Sequence, residues 1–431
     1  MGYVLLAILI FELVIFYCFN GKNILSPSVL ACAVFILSVA MYAFNPAYYG
    51  YEIHFNTVIF IALFLFCLFL GEFFGNAVTG GKKTLPLKGE IKNEIILPVW
   101  VCVLLAAVVL VVGVIYFFEV YRFSLTVGNT AGNYLSMAKY VRFWEETFTA
   151  SVLVSQGTGV SECLLFMAVY CYVYNKQISG KRYLRYLIIV LAFIPHVLAA
   201  DNRVKLLRII IVSFIIIIFL LKQGVDWNRK KDLKIISVSV LLLVLYVLLW
   251  RLLGYRTEVS ANSDAWTSIV KYTSSSIVGF DMFINGMTAE VSVYFGERTL
   301  LNVYAILNSW GFGVPKIETF EGFFRYSGGE SNVYTLFKAY IQDFGYVSCG
   351  LAMFFTGFLI AWLINSIRYR KLTYFKLSVL GLFFYPVLMI SISNVLGSII
   401  GMPFIYTLVY LVIIQLLMEV FNKRSGSNKI Y

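Results

Sequence analysis

The stretches LPVWVCVLLAAVVLVVGVIYFF (97–118) and KIISVSVLLLVLYVLLWRLL (234–253) decide the fold class. Each is long enough to cross a hydrocarbon core of about 30 Å as a helix. Helices are expected because lipid offers no hydrogen-bond partner to a free backbone N–H or C=O. The 431-residue chain is 61% hydrophobic and only 13% charged, with a mean hydropathy of +0.85. This composition excludes a soluble multidomain protein.

Apolar stretches of similar length recur along the chain and predict an all-α, polytopic membrane protein with about 11 transmembrane helices. The predicted spans lie near 2–19, 24–44, 56–74, 97–118, 151–174, 184–200, 204–221, 234–253, 346–367, 377–395 and 399–420. The first is interpreted as an uncleaved span, because Glu12 interrupts its apolar core and neither a basic start nor a small-residue cleavage site accompanies it. We therefore expect helices one to eight in 1–253, a large external loop in 254–345, and helices nine to eleven with a cytoplasmic tail in 346–431.

Basic residues cluster in alternate gaps between the predicted spans, at 75–96, 175–185, 222–234, 368–376 and the C-terminal tail. The positive-inside rule places these gaps in the cytoplasm and the loop 254–345 outside. The net charge of +12 is then mostly a topology signal, and nucleic-acid binding is not expected. The seven cysteines fall in or beside spans without a Cys-x-x-Cys pair, which is typical of small buried apolar side chains rather than of a disulfide framework or a metal site.

The predicted external loop is rich in aromatic residues, among them Trp310 and Tyr326. Such residues are typical of a belt at the membrane interface. A platform on which sugar rings pack is the alternative. The loop carries more acidic than basic residues, so an anion site there requires particular arginines rather than a general positive field.

Arg203, Lys205 and Arg208 follow one another closely where one predicted span turns into the next on the outward side. One interpretation is a turn in which the long side chains reach the interface and Asp201 pairs locally. The other is a phosphate clamp, because a guanidinium group matches phosphate oxygens with two parallel hydrogen bonds. Three basic groups on the outward side run against the topology trend and favour the clamp.

The densest motif is RYSGGESNVYTLFKAYIQDFGYVSCG at 325–350. Gly328-Gly329 is typical of a turn. The run Asp343-Phe344-Gly345 opens the next predicted span, with Asp343 as a candidate N-cap.

These residues resemble those of Wzy-type polysaccharide repeat-unit polymerases, bacterial membrane proteins of O-antigen and capsule pathways. The similar runs are Gly328-Gly329, NVYTLF at 332–337, Tyr340, DFG at 343–345 and TGFL at 356–359. The family has many spans and a large external loop before the Asp-Phe-Gly helix. Many members carry Gly-Ser-Arg-Gly at an outward helix end, where this chain has Asp201-Asn202-Arg203-Val204. Only the arginine matches at that place.

The resemblance implies a glycosyltransferase of the bacterial cytoplasmic membrane that polymerises undecaprenyl-diphosphate-linked repeat units into O-antigen or into capsular or exopolysaccharide. It also implies a chain-length regulator and a flippase as partners, besides the lipid-linked glycans and the bilayer. The leaving diphosphate needs cations, for which Arg203 is the first candidate and Arg256 and Arg325 follow. Glu330, Asp343 or Glu258 is a candidate base for the acceptor hydroxyl. Lys205, Tyr326 and Trp310 complete the candidate substrate-binding residues, and neither a metal nor a cofactor is expected.

Two other classes stay open: a transporter or flippase of lipid-linked oligosaccharide, and a non-catalytic scaffold of a polysaccharide assembly complex. A transporter predicts charges within helix centres and pseudo-symmetric halves. O-antigen ligases, a sister group, share a functional histidine in the large external loop, and 254–345 contains none. His54 and His196 lie elsewhere and are interpreted as polar interfacial residues rather than catalysts.

The charge pattern predicts opposite locations for Ser263, in the external loop, and Ser427, in the cytoplasmic tail. In a background without native cysteines, we expect Ser263→Cys to react with an impermeant thiol reagent in intact cells and Ser427→Cys to react only after lysis. Labelling of Ser427→Cys in intact cells would overturn the topology.

Overall fold

The computed structural model describes residues 1–79, 94–126, 150–199, 203–222, 237, 265–286, 292–315, 317, 322–368, 372–395, 397 and 401–427. Within them the chain is mostly helical. The helices are α1 Gly2–Phe19, α2 Pro27–Ala43, α3 Pro46–Tyr49, α4 Phe55–Thr79, α5 Val99–Thr126, α6 Val152–Ser179, α7 Arg185–Ala192, α8 Ile194–Ala199, α9 Arg203–Lys222, α10 Ala265–Ile284, α11 Leu301–Ser309, α12 Leu336–Arg368, α13 Tyr374–Met389 and α14 Met402–Ser427. A two-stranded hairpin of β1 Phe324–Tyr326 and β2 Gly329–Ser331 precedes α12.

Long apolar helices confirm the membrane-protein class. Among the described residues, 6 helices are long and apolar enough to cross a bilayer: α1, α4, α5, α6, α12 and α14. Shorter apolar helices occupy Pro27–Ala43, Arg185–Ala199 and Tyr374–Met389. The predicted span 234–253 lies outside the described residues, apart from position 237. The count of about 11 spans and the external placement of 254–345 stay predictions.

The predicted loop 254–345 contains regular structure. Helix α10 lies within it and packs against α2 and α4. The final helix of this region, α12, begins at Leu336, earlier than the expected start at 346, and is broken at Gly345. The division into 1–253, 254–345 and 346–431 describes membrane sidedness and stays a prediction. The two compact units of the chain follow other boundaries.

The first compact unit comprises Met1–Thr84, Asp264–Lys371 and Phe383–Phe404. Its framework is the pair α4 and α12, which approach each other at glycines. A Cβ on Gly71 would lie 1.8 Å from the Phe354 carbonyl oxygen, and one on Gly357 would lie 2.1 Å from the Leu68 carbonyl oxygen. Small residues let two backbones come this close, which is a common way to associate helices in lipid.

A buried carboxylate joins α4 to the start of α2. Glu72 is 3% exposed, and its Oε2 accepts hydrogen bonds from the Ser26 hydroxyl at 2.7 Å, the Ser28 hydroxyl at 2.6 Å and the Ser28 amide at 3.0 Å. An acidic group within an apolar helix is costly unless it is satisfied by such donors. Glu72 therefore fixes the α1–α2 turn against α4.

The second compact unit comprises Leu85–Ser263, Leu372–Leu382 and Ile405–Tyr431. In it α5 packs against α6, α7 and α8, and α6 packs against α9. The extended segment before α5 is held by side chains of α6 and α7: Asn175 exchanges two hydrogen bonds with the Ile95 backbone, both at 2.8 Å. The Tyr186 hydroxyl donates to the Ile95 carbonyl at 2.8 Å and accepts from the Leu97 amide at 3.2 Å.

The α4–α12 contact predicts opposite effects for two glycine substitutions. Gly71→Ala places a methyl group into the Phe354 backbone and should destabilise the protein by about 1–3 kcal/mol, the usual cost of overpacking. Gly350→Ala is the matched control on the same contact, because its Cβ would lie 3.5 Å from Cys67 Sγ, an ordinary distance. It should be neutral or stabilise by up to about 1 kcal/mol through helix propensity. Thermal unfolding in detergent measures both, and an unchanged Tm for Gly71→Ala would contradict the packing.

Candidate functional site

The hairpin carries an exposed pair of opposite charges. Arg325 of β1 stands across from Glu330 of β2 in the antiparallel register. The Arg325 Nε lies 3.7 Å from Glu330 Oε2, and the side chains are 88% and 51% exposed. A pair this open contributes little to stability. Its guanidinium and carboxylate groups are therefore available to a ligand.

The tip of the hairpin packs on the C-terminal end of α3 and on Gly50, which follows it. The Ser327 amide donates to the Tyr49 carbonyl at 3.2 Å. A Cβ on Gly328 would lie 2.4 Å from the Tyr48 carbonyl oxygen, so only glycine permits this approach. Gly50 has a φ of +54°, and a Cβ there would lie 2.1 Å from Ser327 Oγ. The turn residues are Ser327 and Gly328, so the turn lies one residue earlier than the predicted Gly-Gly turn, and Gly328 also makes a close backbone contact.

Tyr326 packs within a group of tyrosines. Its ring centroid lies 5.7 Å from that of Tyr48 and 5.0 Å from that of Tyr49. Burial raises the pKa of the Tyr326 hydroxyl well above its usual range, so this group stays protonated. Trp310, by contrast, is 64% exposed and lies beside the exposed Phe312. Both tyrosine and tryptophan remain predicted substrate-binding residues, and Trp310 offers the more accessible ring.

A histidine and a buried aspartate form a contact a few residues after the end of α3, on which the hairpin tip packs. Asp281 of α10 is fully buried, and its Oδ2 lies 2.7 Å from His54 Nδ1. The same carboxylate accepts hydrogen bonds from the His54 amide at 2.6 Å, the Tyr51 hydroxyl at 2.6 Å and the Asn285 side chain at 3.3 Å. The imidazole itself stays 47% exposed. A buried carboxylate thus orients an accessible histidine.

The hydroxyl of Tyr51 stays protonated beside Asp281. Burial raises its pKa above the usual range, and its hydrogen bond to Asp281 and the charge of that carboxylate act in the same direction. It therefore acts as a hydrogen-bond donor to Asp281.

Asp343 binds the backbone of the segment before α11. Its two oxygens accept from four donors: the Ser292 hydroxyl at 2.6 Å, the Arg298 amide at 3.1 Å, the Thr299 amide at 2.6 Å and the Thr299 hydroxyl at 2.7 Å. It lies within α12 and caps this neighbouring segment, whereas the sequence suggested an N-cap of its own helix. Its lone pairs are thus largely occupied, and its role as a base stays a prediction.

The backbone conformation at the last position of the Asp-Phe-Gly run requires glycine. Gly345 interrupts α12 with φ 78° and ψ 176°, a backbone region essentially confined to glycine. The break separates the short helix that carries Asp343 from the long apolar helix that follows.

A second polar cluster lies within the second unit. Glu162 of α6 is buried and forms ion pairs with Lys205, at 3.4 Å, and with Arg208, at 2.5 Å, both from α9. A small cavity adjoins this cluster and is also lined by Tyr116 and His196. Its volume of about 10 Å³ holds roughly one water molecule. Lys205, a predicted substrate-binding residue, therefore has a carboxylate partner within the protein.

Other predicted residues cannot be placed in full. Arg203 begins α9, but its side chain lies outside the described residues, as do Arg256 and Glu258. The structure brings Arg325, Glu330 and Tyr326 together in the first unit, whereas Lys205 lies in the second. Among the described residues, no group of three or more His, Cys, Asp or Glu side chains is placed to hold a metal ion.

Sequence reasoning missed the pair His54–Asp281. From the sequence, His54 lies in an earlier outward gap and is interpreted as a polar interfacial residue. Asp281 gave a usable signal: it is the acidic residue in the otherwise apolar run SIVGFDMFI (276–284), and an acid in such a run indicates a specific partner. Which partner it has depends on α10 packing beside the start of α4.

Comparison with family models, with curated proteins and with solved structures found no match for this chain.

The Asp343 contacts predict local loosening when the carboxylate is lost. Asp343→Ala removes hydrogen bonds to a charged acceptor, each worth about 1.5–3 kcal/mol, and should speed amide exchange at Arg298 and Thr299. Ser292→Ala is the control, because it removes one donor and leaves both of those amides bonded. Hydrogen exchange with mass spectrometry on the detergent-solubilised protein measures the difference. Equal protection in Asp343→Ala and the wild type would contradict the anchoring role.

Proposed function

We propose that this chain is a membrane glycosyltransferase that joins undecaprenyl-diphosphate-linked oligosaccharide repeat units into O-antigen or into capsular or exopolysaccharide. It acts in the bacterial cytoplasmic membrane, with the segment 254–345 facing outward. The observation that carries the proposal is that the residues that resemble the polymerase family have specific structural roles. Gly328 seats the hairpin, Gly345 breaks α12, and Asp343 holds the segment before α11. The Gly328 contact supports the hairpin that carries the exposed pair Arg325 and Glu330.

The proposed reaction requires positive charge at the leaving diphosphate. An acceptor hydroxyl attacks the anomeric carbon of the donor glycan, and the bond to undecaprenyl diphosphate breaks. Arginine stabilises the developing charge without a metal or a cofactor. Arg203 is the first candidate, with Lys205 near it on α9 and with Arg256 and Arg325 as further cations. A chain-length regulator and a flippase are the proposed partners.

The acceptor side of the reaction uses the first unit. Glu330 is half exposed and therefore more accessible than Asp343, whose oxygens already accept several hydrogen bonds. Trp310 presents an exposed ring on which a sugar can stack. Tyr326 follows Arg325 on β1, and its ring packs that strand against Tyr49.

A transporter of lipid-linked oligosaccharide is the second candidate. The observation in its favour is the buried Glu162, paired with Lys205 and Arg208 in apolar helices, because ionisable residues at such places often line a transport path. The two candidates differ in one respect that is easily measured. A polymerase elongates lipid-linked glycan in detergent, where there is no membrane to cross. A transporter makes no new glycosidic bond.

The proposal predicts that Arg203→Ala loses polymer formation. Removing a charge-assisted contact to the leaving group typically costs about 3 kcal/mol, or about a hundredfold in rate. Purified protein supplied with lipid-linked repeat units in detergent should form a ladder of polymer lengths, and Arg203→Ala should leave single units. Arg203→Lys should recover only part of the rate, because an ammonium group cannot reproduce the planar fork of arginine.

The control for this experiment is Arg182→Ala, which removes an exposed arginine from the turn before α7, on the side predicted to be cytoplasmic. Arg182→Ala should retain the wild-type ladder, and the amount of folded protein is compared by size-exclusion chromatography. A normal ladder from well-folded Arg203→Ala would remove Arg203 from the mechanism. No ladder from the wild type would refute the polymerase itself.

A further inference from the structure

We infer that His54 is the general base that takes the proton from the acceptor hydroxyl, and that Asp281 is its positioning residue. The inference rests on the proposed glycosyl transfer. The sequence offered only carboxylates as candidates for the base of that reaction. The inference depends on the geometry of α10 and of the segment that leads into α4.

Asp281 is built to hold a histidine in one orientation. Its carboxylate is fully buried and accepts from four donors, two of which belong to His54 itself. Because the His54 amide binds Oδ1 and the ring binds Oδ2, both the backbone and the imidazole are fixed by one group. A buried carboxylate with this many partners keeps its place when ligands come and go.

The contact with Asp281 also selects the tautomer of the imidazole. A carboxylate is an acceptor, so Nδ1 carries the proton and donates to Oδ2 at 2.7 Å. The opposite nitrogen, Nε2, then has a free lone pair, and no side chain in the described part of the chain hydrogen-bonds it. The imidazole is 47% exposed, so a hydroxyl group can reach Nε2 from outside.

The dyad is connected to the hairpin that carries the other candidate residues. The segment 48–54 contains Tyr48 and Tyr49, which contact Tyr326, and ends at His54. Gly50 meets Ser327 at the hairpin tip. One short stretch of chain therefore supports both Arg325 with Glu330 and the histidine, and an acceptor glycan that binds the hairpin lies close to this stretch.

The proposed step is a proton transfer coupled to glycosyl transfer. The acceptor O–H bond breaks, and its proton goes to His54 Nε2. The oxygen forms a bond to the anomeric carbon, while the bond from that carbon to the diphosphate oxygen breaks with its electron pair. Undecaprenyl diphosphate leaves as an anion, and the imidazolium returns its proton to water. Asp281 stabilises the imidazolium that forms.

The decisive variant is His54→Asn. Its side-chain amide can still donate to Asp281, but it has no basic nitrogen to accept a proton. We expect kcat in the detergent polymerisation assay to fall by about 10²- to 10⁴-fold, the usual contribution of a positioned base, with KM for the lipid-linked acceptor unchanged. His54→Ala should lose activity similarly and regain part of it when imidazole is added. Glu52→Gln, which changes an exposed neighbour in the same segment, should match the wild type.

The role of Asp281 is tested by a double-mutant comparison. Asp281→Asn should lower kcat in the wild-type background and have no further effect on kcat in the His54→Asn background, because a positioning residue acts only through its base. A purely structural Asp281 would reduce activity equally in both. Wild-type kcat in well-folded His54→Asn, or failure of imidazole to restore His54→Ala, would overturn the inference and leave the polymerase standing. A wild-type protein that makes no polymer would overturn both.

Discussion

The close approach of α4 and α12 is the contact on which the first unit depends. It requires glycine at Gly71 and Gly357, where the backbone of one helix occupies the space of a side chain on the other. In lipid, helices gain little from hiding apolar surface, so this kind of tight van der Waals contact holds them together. The pair also sets the positions of the candidate groups. His54 immediately precedes α4, and Asp343 lies in the first part of α12.

Three carboxylates make further connections, and each accepts hydrogen bonds from several donors. Glu72 binds the start of α2, Asp281 binds the segment before α4, and Asp343 binds the segment before α11. Acids in apolar surroundings are tolerated only with such partners, since an unpaired one costs several kcal/mol. The candidate site is therefore assembled from the same interactions that make the fold specific. Where a carboxylate leaves a partner accessible, as Asp281 does with His54, the connection also offers chemistry.

Much of the helical framework could be predicted from the sequence, because long apolar runs in lipid have only one stable form. The predicted span 2–19 has the bounds of α1, and the predicted span 97–118 falls on α5, which continues to Thr126. A turn was predicted at Gly328-Gly329, and the structure places it one residue earlier, at Ser327-Gly328, with Gly329 paired to Tyr326 in the hairpin. The start of α12 was not predicted, because KAYIQD at 338–343 mixes polar and apolar residues and its helix is stabilised by packing rather than by hydropathy.

The sequence by itself determined that the solvent of this protein is the membrane and that its class is helical, because those properties follow from composition and short-range pattern. Only the tertiary structure decided which polar groups meet. Asp281 is far from His54 along the chain, and Glu162 is far from Lys205 and Arg208. Hydropathy shows that each of these residues is unfavourable in an apolar segment, but it does not identify the partner that offsets this cost. That partner is set by helix packing, which depends on side-chain shape at contacts that no local pattern encodes.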